Sequence, residues 1–176
     1  MKEINPIEYS KEILQGVEKG VLLTTKVRDE LNTMTISWGM MGIQWNKPIF
    51  IAFVREGRHT RSLLDQSEEF TINIPFGEFE KKILAHCGTN SGRNNNKFAE
   101  LGLEPTKPLN ISTPGIKQLP LTLECKIIYT QLQNPAILSN ELKDRFYPQD
   151  KPSEFCGSNK DVHIVYYGEI VGAYIA

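Results

Sequence analysis

Residues 32–42, NTMTISWGMMG, alternate with the period of two that marks an extended chain. Thr33, Thr35 and Ser37 fall on one side, and Met34, Ile36 and Trp38 on the other. The stretch therefore reads as a β-strand with a hydroxyl-bearing face. Two settings satisfy such a face: solvent, the commoner reason for alternation, or a bound polar heterocycle facing a barrel interior. Trp38 likewise fits core filling, its commoner role, or contact with a flat ring.

The same period extends outward. GVLLTTKV (20–27), IFIAFVR (49–55) and EFTINIP (69–75) are short runs rich in β-branched and aromatic residues. They are separated by RDELN, QWNKP and a short predicted helix, TRSLLDQS (60–67). IFIAFV is apolar on both faces, as in a strand covered on each side. Helical spacing appears in residues 7–19, with Gly20 as a stop, and again in 77–88 and 96–103, with Gly88 and Gly102 as stops. Long strands are expected at 121–131 and 161–175, with an irregular, proline-containing segment at 132–160 between them. Most early links are too short for a parallel crossover, so the pairing is expected to be antiparallel. The pattern suits a small closed or partly closed β-barrel with peripheral helices, which protects strand edges.

At 176 residues the chain is read as one domain, 1–176. A net charge of −1 argues against nucleic acid as the main partner. There is no apolar run of membrane-spanning length, and MKEINPIEYSKEILQG lacks the apolar centre of a signal peptide, so a cytoplasmic location with no membrane partner is expected. Cys87, Cys125 and Cys156 are odd in number and widely spaced, which suggests neither a disulfide framework nor a thiolate metal site. His59, His86 and His163 have no zinc-motif spacing, and no metal is expected.

The densest positive cluster is REGRHTRS (55–62), carrying Arg55, Arg58, His59 and Arg61 at a strand end and the start of a helix that Thr60 or Ser62 could cap. Free N–H groups at a helix start together with guanidinium groups favour a phosphate or another anion, and a solvated basic turn is the equal alternative. GTNSGRNNNK (88–97) is not a P-loop, because three residues rather than four separate Gly88 from Gly92 and Arg93 follows. His163 and Tyr167 share a face of the last strand and are candidate cofactor-binding residues, and Asp161 is a plain candidate partner for the histidine. No serine triad or catalytic carboxylate pair is evident.

Taken in order, GVLLTTK, NTMTISWGMMG, KPIFIAFVREGRHTRSLL, EFTINIP, CGTNSGRNNNKF and HIVYYGEIVGAY resemble the flavin reductase and flavoredoxin family. The resemblance implies an antiparallel split β-barrel of FMN-binding type and a homodimer. It places Asn32, Met34, Thr35, Ile36, Ser37 and Trp38 along the flavin ring and ribityl chain, and Arg55, Thr60, Arg61 and Ser62 at its phosphate. Lys97 matches a basic position near the flavin, and His163 a position five residues before a glycine, here Gly168. Two departures stand out: Asn94 and Asn96 occupy places where acids are common, and Val162 separates Asp161 from His163. The implied activity is an oxidoreductase passing electrons from NADH or NADPH through FMN to free flavin or another acceptor. A flavoredoxin-type carrier reduced by a redox protein partner, and a non-catalytic flavin-binding module, are the alternatives. Since the cofactor supplies the redox chemistry, the candidate residues are binding residues, with no catalytic acid or base assigned.

Overall fold

A computed structural model describes all residues, 1–176. Ten strands, β1 (Lys2–Glu3), β2 (Val21–Val27), β3 (Glu30–Ile36), β4 (Gly39–Gln44), β5 (Lys47–Arg55), β6 (Glu69–Ile74), β7 (Pro105–Thr106), β8 (Gly115–Ile116), β9 (Leu121–Leu132) and β10 (His163–Ile175), are interleaved with helices. These are α1 (Ser10–Lys19), α2 (His59–Ser67), α3 (Lys81–Thr89), α4 (Lys97–Leu101) and α5 (Asn140–Phe146).

The main sheet runs β3-β2-β6-β9-β10-β5-β4, with β1 also on β10, and every pairing is antiparallel. Its two edge strands, β3 and β4, are consecutive in the chain yet do not pair with each other. The barrel is therefore split at that seam, and Ser37 and Trp38 bridge it. From Gly39, which stands opposite Ala52, β4 pairs with β5.

Alternation sorts the sheet into two faces. Leu23, Phe50, Phe70, Ile72, Leu123 and Tyr166 fill the barrel interior. On the outer face Leu22 packs with Ile83, Cys87, Ile116 and Leu119 beneath α3 and the 102–119 segment. Burying each such side chain stabilises the fold by roughly 1.5–3 kcal/mol.

Several expected boundaries move. α1 starts at Ser10, after turns over residues 6–9, and ends at Gly20 as its spacing predicts. Gly88 does not stop α3, which continues to Thr89. Neither Thr60 nor Ser62 caps α2; Arg58 holds the cap position without a side-chain bond. The 132–160 segment contains a 3-10 turn at Pro135–Ile137 and then α5, whose cap is Ser139 accepting from Leu142 N.

Candidate functional site

Beside the seam, two clefts meet and share Met34, Arg58 and Gly88. The first, about 360 Å³, lies between the 57–60 turn and the 88–94 loop. Arg58, His59, Arg93 and Lys97 face it against one carboxylate, Glu154. The second, about 270 Å³, is walled by Met34–Trp38, Phe53 and His163. A charged compartment thus opens into an aromatic one.

The cationic compartment keeps donor hydrogens to spare. Lys97 is only 4% exposed, and its Nζ donates to Thr33 O at 2.8 Å and Cys87 O at 3.1 Å. It pairs with no carboxylate, so one of its three N–H groups remains, and burial lowers its pKa from the ordinary value. Thr60 Oγ accepts from Asn32 Nδ2 at 2.8 Å, which leaves the hydroxyl hydrogen to donate elsewhere. Gly92 lets the loop lie against β3, because a Cβ there would run into the Asn32 side chain. Arg93 closes the rim through Gly57 O at 3.2 Å.

In the aromatic compartment the Trp38 ring lies 4.9 Å from His163 and 5.2 Å from Phe146, centroid to centroid. The pKa of His163 is lowered to about 3, chiefly by burial and then by Arg55 and Arg58, so its ring is neutral near pH 7. Its partner is not Asp161 but Tyr147, whose hydroxyl lies 2.9 Å from Nδ1. Asp161 instead accepts from Gly57 N and Ser153 Oγ.

The hydroxyls of β3 do not line either cleft in the way alternation suggested. Thr33 Oγ donates to Leu23 O and accepts from Thr24, while Thr35 Oγ donates to Leu84 O at 2.6 Å. That face is covered by α3, and its hydroxyls have protein partners. Met34, Thr35, Ile36, Ser37 and Trp38 nevertheless all border the aromatic cleft, and Asn32 supports it through Thr60.

Four expected residues are placed elsewhere or differently. Arg61 turns to Asp65 at 3.0 Å, one helical turn on, and Ser62 Oγ donates to His59 O. Neither borders a cleft. Tyr167 is remote, packed with Tyr129 and Trp45, because four residues along β10 carry it well beyond His163. Arg55 borders the aromatic cleft, but its guanidinium is engaged by Phe146 O (2.9 Å), Asp161 O (2.6 Å) and Asn159 O (3.3 Å).

Those carbonyls belong to a strap, residues 133–162, that the sequence left without an account. Ser153, Glu154, Cys156 and Gly157 border the clefts, and Arg58 donates to Cys156 O at 3.0 Å. The strap is a wall of the site. Sequence reasoning also missed Arg93 and Tyr147, which sit in segments whose course only the fold reveals.

The profile of the flavin reductase like domain matches residues 16–176. An uncharacterized protein of Archaeoglobus fulgidus is 27% identical over 130 residues, spanning 71% of this chain and 66%, just under two thirds, of that relative. Among solved structures, flavoredoxin from Methanosarcina acetivorans superposes with a TM-score of 0.64 at 23% identity, covering 89% of this chain and 68% of its own. An FMN-binding domain of a flavin reductases-like enzyme from Shewanella baltica gives 0.67 at 16% identity, covering 99% and 78%. These likenesses show the split-barrel fold, and the profile match over most of the chain establishes that this protein belongs to the flavin reductase like domain family.

Proposed function

We propose that the joined clefts bind FMN and that the protein is an oxidoreductase taking electrons from NADH or NADPH. The observation that carries this reading is the junction itself: a cationic compartment with spare donors opening into an aromatic one matches a ligand with a phosphate at one end and a flat ring at the other. Lys97, Arg93, Arg58, Thr60 and the first turn of α2 would hold the phosphate. Trp38, Phe53, Met34 and His163 would border the ring. When bound, FMN supplies the redox chemistry, accepting an electron pair and passing it to free flavin or another acceptor. The chain's own part is to hold the cofactor, keep His163 uncharged beside it, and shield one side with the strap.

A second reading, an electron carrier serving a redox protein partner, draws support from the strap, whose Ser153, Glu154, Cys156 and Gly157 wall the clefts. A cytoplasmic homodimer completes the proposal. Met40 on β4, Trp45 in the turn after it and Tyr129 on β9 are exposed, and Trp45 packs with Tyr129 and with Tyr167 of β10, an apolar patch suited to a second copy.

Fluorescence titration tests the site. FMN is expected to bind at least tenfold more tightly than riboflavin, the difference being the phosphate contacts. Equal affinities would remove the phosphate assignment.

A further inference from the structure

The strap contributes more than a wall. Tyr147, the residue after α5, is buried and stands between two side chains: its hydroxyl lies 2.9 Å from Gln133 Oε1 and 2.9 Å from His163 Nδ1. Gln133 is itself fixed to the histidine, since its backbone N–H donates to His163 O at 2.9 Å. Arg55 lies over the Tyr147 ring, 5.2 Å from its centroid, and bonds the preceding carbonyl, Phe146 O. The tyrosine has little freedom.

A phenol has one hydrogen to donate. An amide oxygen only accepts, so Tyr147 spends that hydrogen on Gln133 Oε1. Its oxygen can then only accept from the other side, which requires the hydrogen of the neutral imidazole to sit on Nδ1. The remaining nitrogen, Nε2, makes no hydrogen bond within the protein, yet it is not among the buried unpaired polar atoms. It opens on the aromatic cleft that His163 borders beside Trp38.

We propose that Gln133 and Tyr147 are positioning residues that lock His163 in the Nδ1-protonated tautomer, so that Nε2 presents a lone pair to the cleft and selects ligands offering an N–H donor. The ligand class is a planar heterocycle or amide with such a donor: the ring imide of a flavin or the carboxamide of a nicotinamide. A carbonyl turned to this atom would meet a lone pair and be disfavoured. The ligand half of the inference rests on the flavin reading, whereas the tautomer half stands on the protein alone. The charged groups near His163 are Arg55 from β5 and Arg58 from the following turn, both of which oppose its protonation. Asp161, the nearest carboxylate in sequence, is occupied by Gly57 and Ser153.

Imidazole nitrogen NMR of the ligand-free protein reads this directly. His163 is expected to be neutral from pH 5 to 8, with a protonated Nδ1 and a bare Nε2. Replacing Gln133 by Leu removes the acceptor, frees the tyrosine to donate to Nδ1, and should move the proton to Nε2. Gln133→Glu retains an acceptor and should leave the tautomer unchanged, while Tyr147→Phe should give a mixture. A wild-type His163 protonated on Nε2, or one whose tautomer ignores Gln133→Leu in a folded sample, overturns the lock.

Ligand arms use the same resonance. An upfield move of Nε2 on adding FMN, absent with N3-methyl FMN, assigns the imide, and a move only on adding nicotinamide assigns the carboxamide. No move with either probe, in a sample where quenching shows FMN bound, overturns the donor assignment. Failure of FMN to bind at all would instead count against the flavin reading and leave the tautomer result to be judged separately.

Discussion

The Lys97 ammonium donates a 2.8 Å hydrogen bond to the backbone carbonyl of Thr33, anchoring the start of α4 to the edge strand β3. A cation buried to this degree without a carboxylate is unfavourable unless an anion completes its surroundings. Replacing Lys97 by Met is expected to weaken FMN binding by roughly 10- to 100-fold, the loss of one charge-assisted hydrogen bond, with riboflavin binding changed far less. Fluorescence titration of the two flavins against wild type and variant measures it.

Arg61 provides the opposite expectation. Its Nε lies 3.0 Å from Asp65, which also accepts from Tyr166 Oη at 2.7 Å, and it does not border the cationic cleft. Arg61→Ala should leave FMN affinity within about threefold of wild type, since an exposed helix pair of this spacing is worth only about 0.3–0.5 kcal/mol to folding. A tenfold loss in the same titration would restore Arg61 to the phosphate.

Arg55 is predicted to act on the strap more than on the anion. Its three carbonyl acceptors, in Phe146, Asn159 and Asp161, span the segment that walls the clefts. Arg55→Met should cost roughly 1.5–3 kcal/mol or more of stability and speed proteolysis between residues 146 and 161. Limited proteolysis with mass mapping would locate the cuts; cleavage confined to other loops would contradict the clamp.

The buried His163 sets a pH dependence. Its folded pKa of about 3 lies below the ordinary 6.5, so between these values the unfolded chain holds more protons than the folded one. Stability then rises with pH across this window: the contribution is full above 6.5 and is lost as pH falls toward 3. Urea unfolding at pH 6.5, 5.5 and 4.5 should show wild type losing up to about 1.4 kcal/mol per pH unit more than His163→Gln. Equal slopes would mean the ring takes up a proton in the folded state.

The parts legible in the sequence were those governed by local periodicity. Strand runs, antiparallel links and the helix end at Gly20 follow from side-chain alternation and backbone freedom, and the family motifs named the split barrel. What alternation could not decide was which side of β3 a ligand meets. Alternation leaves solvent or a bound heterocycle open for the hydroxyl face; the fold packs α3 there instead, with Leu84 O accepting the Thr35 hydroxyl, while Thr35 still borders the aromatic cleft. The resemblance puts Arg61 at the phosphate, and nothing local in the sequence reveals that Asp65, one turn later, lies 3.0 Å from it. Tyr167 was grouped with His163 by parity, although distance along β10 carries it to Trp45 and Tyr129. The strap was opaque because its course depends on Arg55 bonding carbonyls about a hundred residues away. Only Ser139, a serine three residues before Leu142, gave a local signal for α5.

The apolar patch of Met40, Trp45 and Tyr129 predicts self-association. Trp45→Lys should convert a dimer to a monomer in sedimentation velocity while leaving the far-ultraviolet spectrum unchanged. A wild type that sediments as a monomer at every concentration would assign that face to another partner.

The most direct measurement is an anaerobic absorption spectrum of the FMN-reconstituted, desalted protein, followed by NADH and then NADPH. Retained flavin bands that bleach promptly with one of the nucleotides are the predicted result. Retained bands that stay oxidised with both would contradict nicotinamide-dependent reduction and favour a protein electron donor, and failure to retain FMN together with no turnover would contradict the site itself.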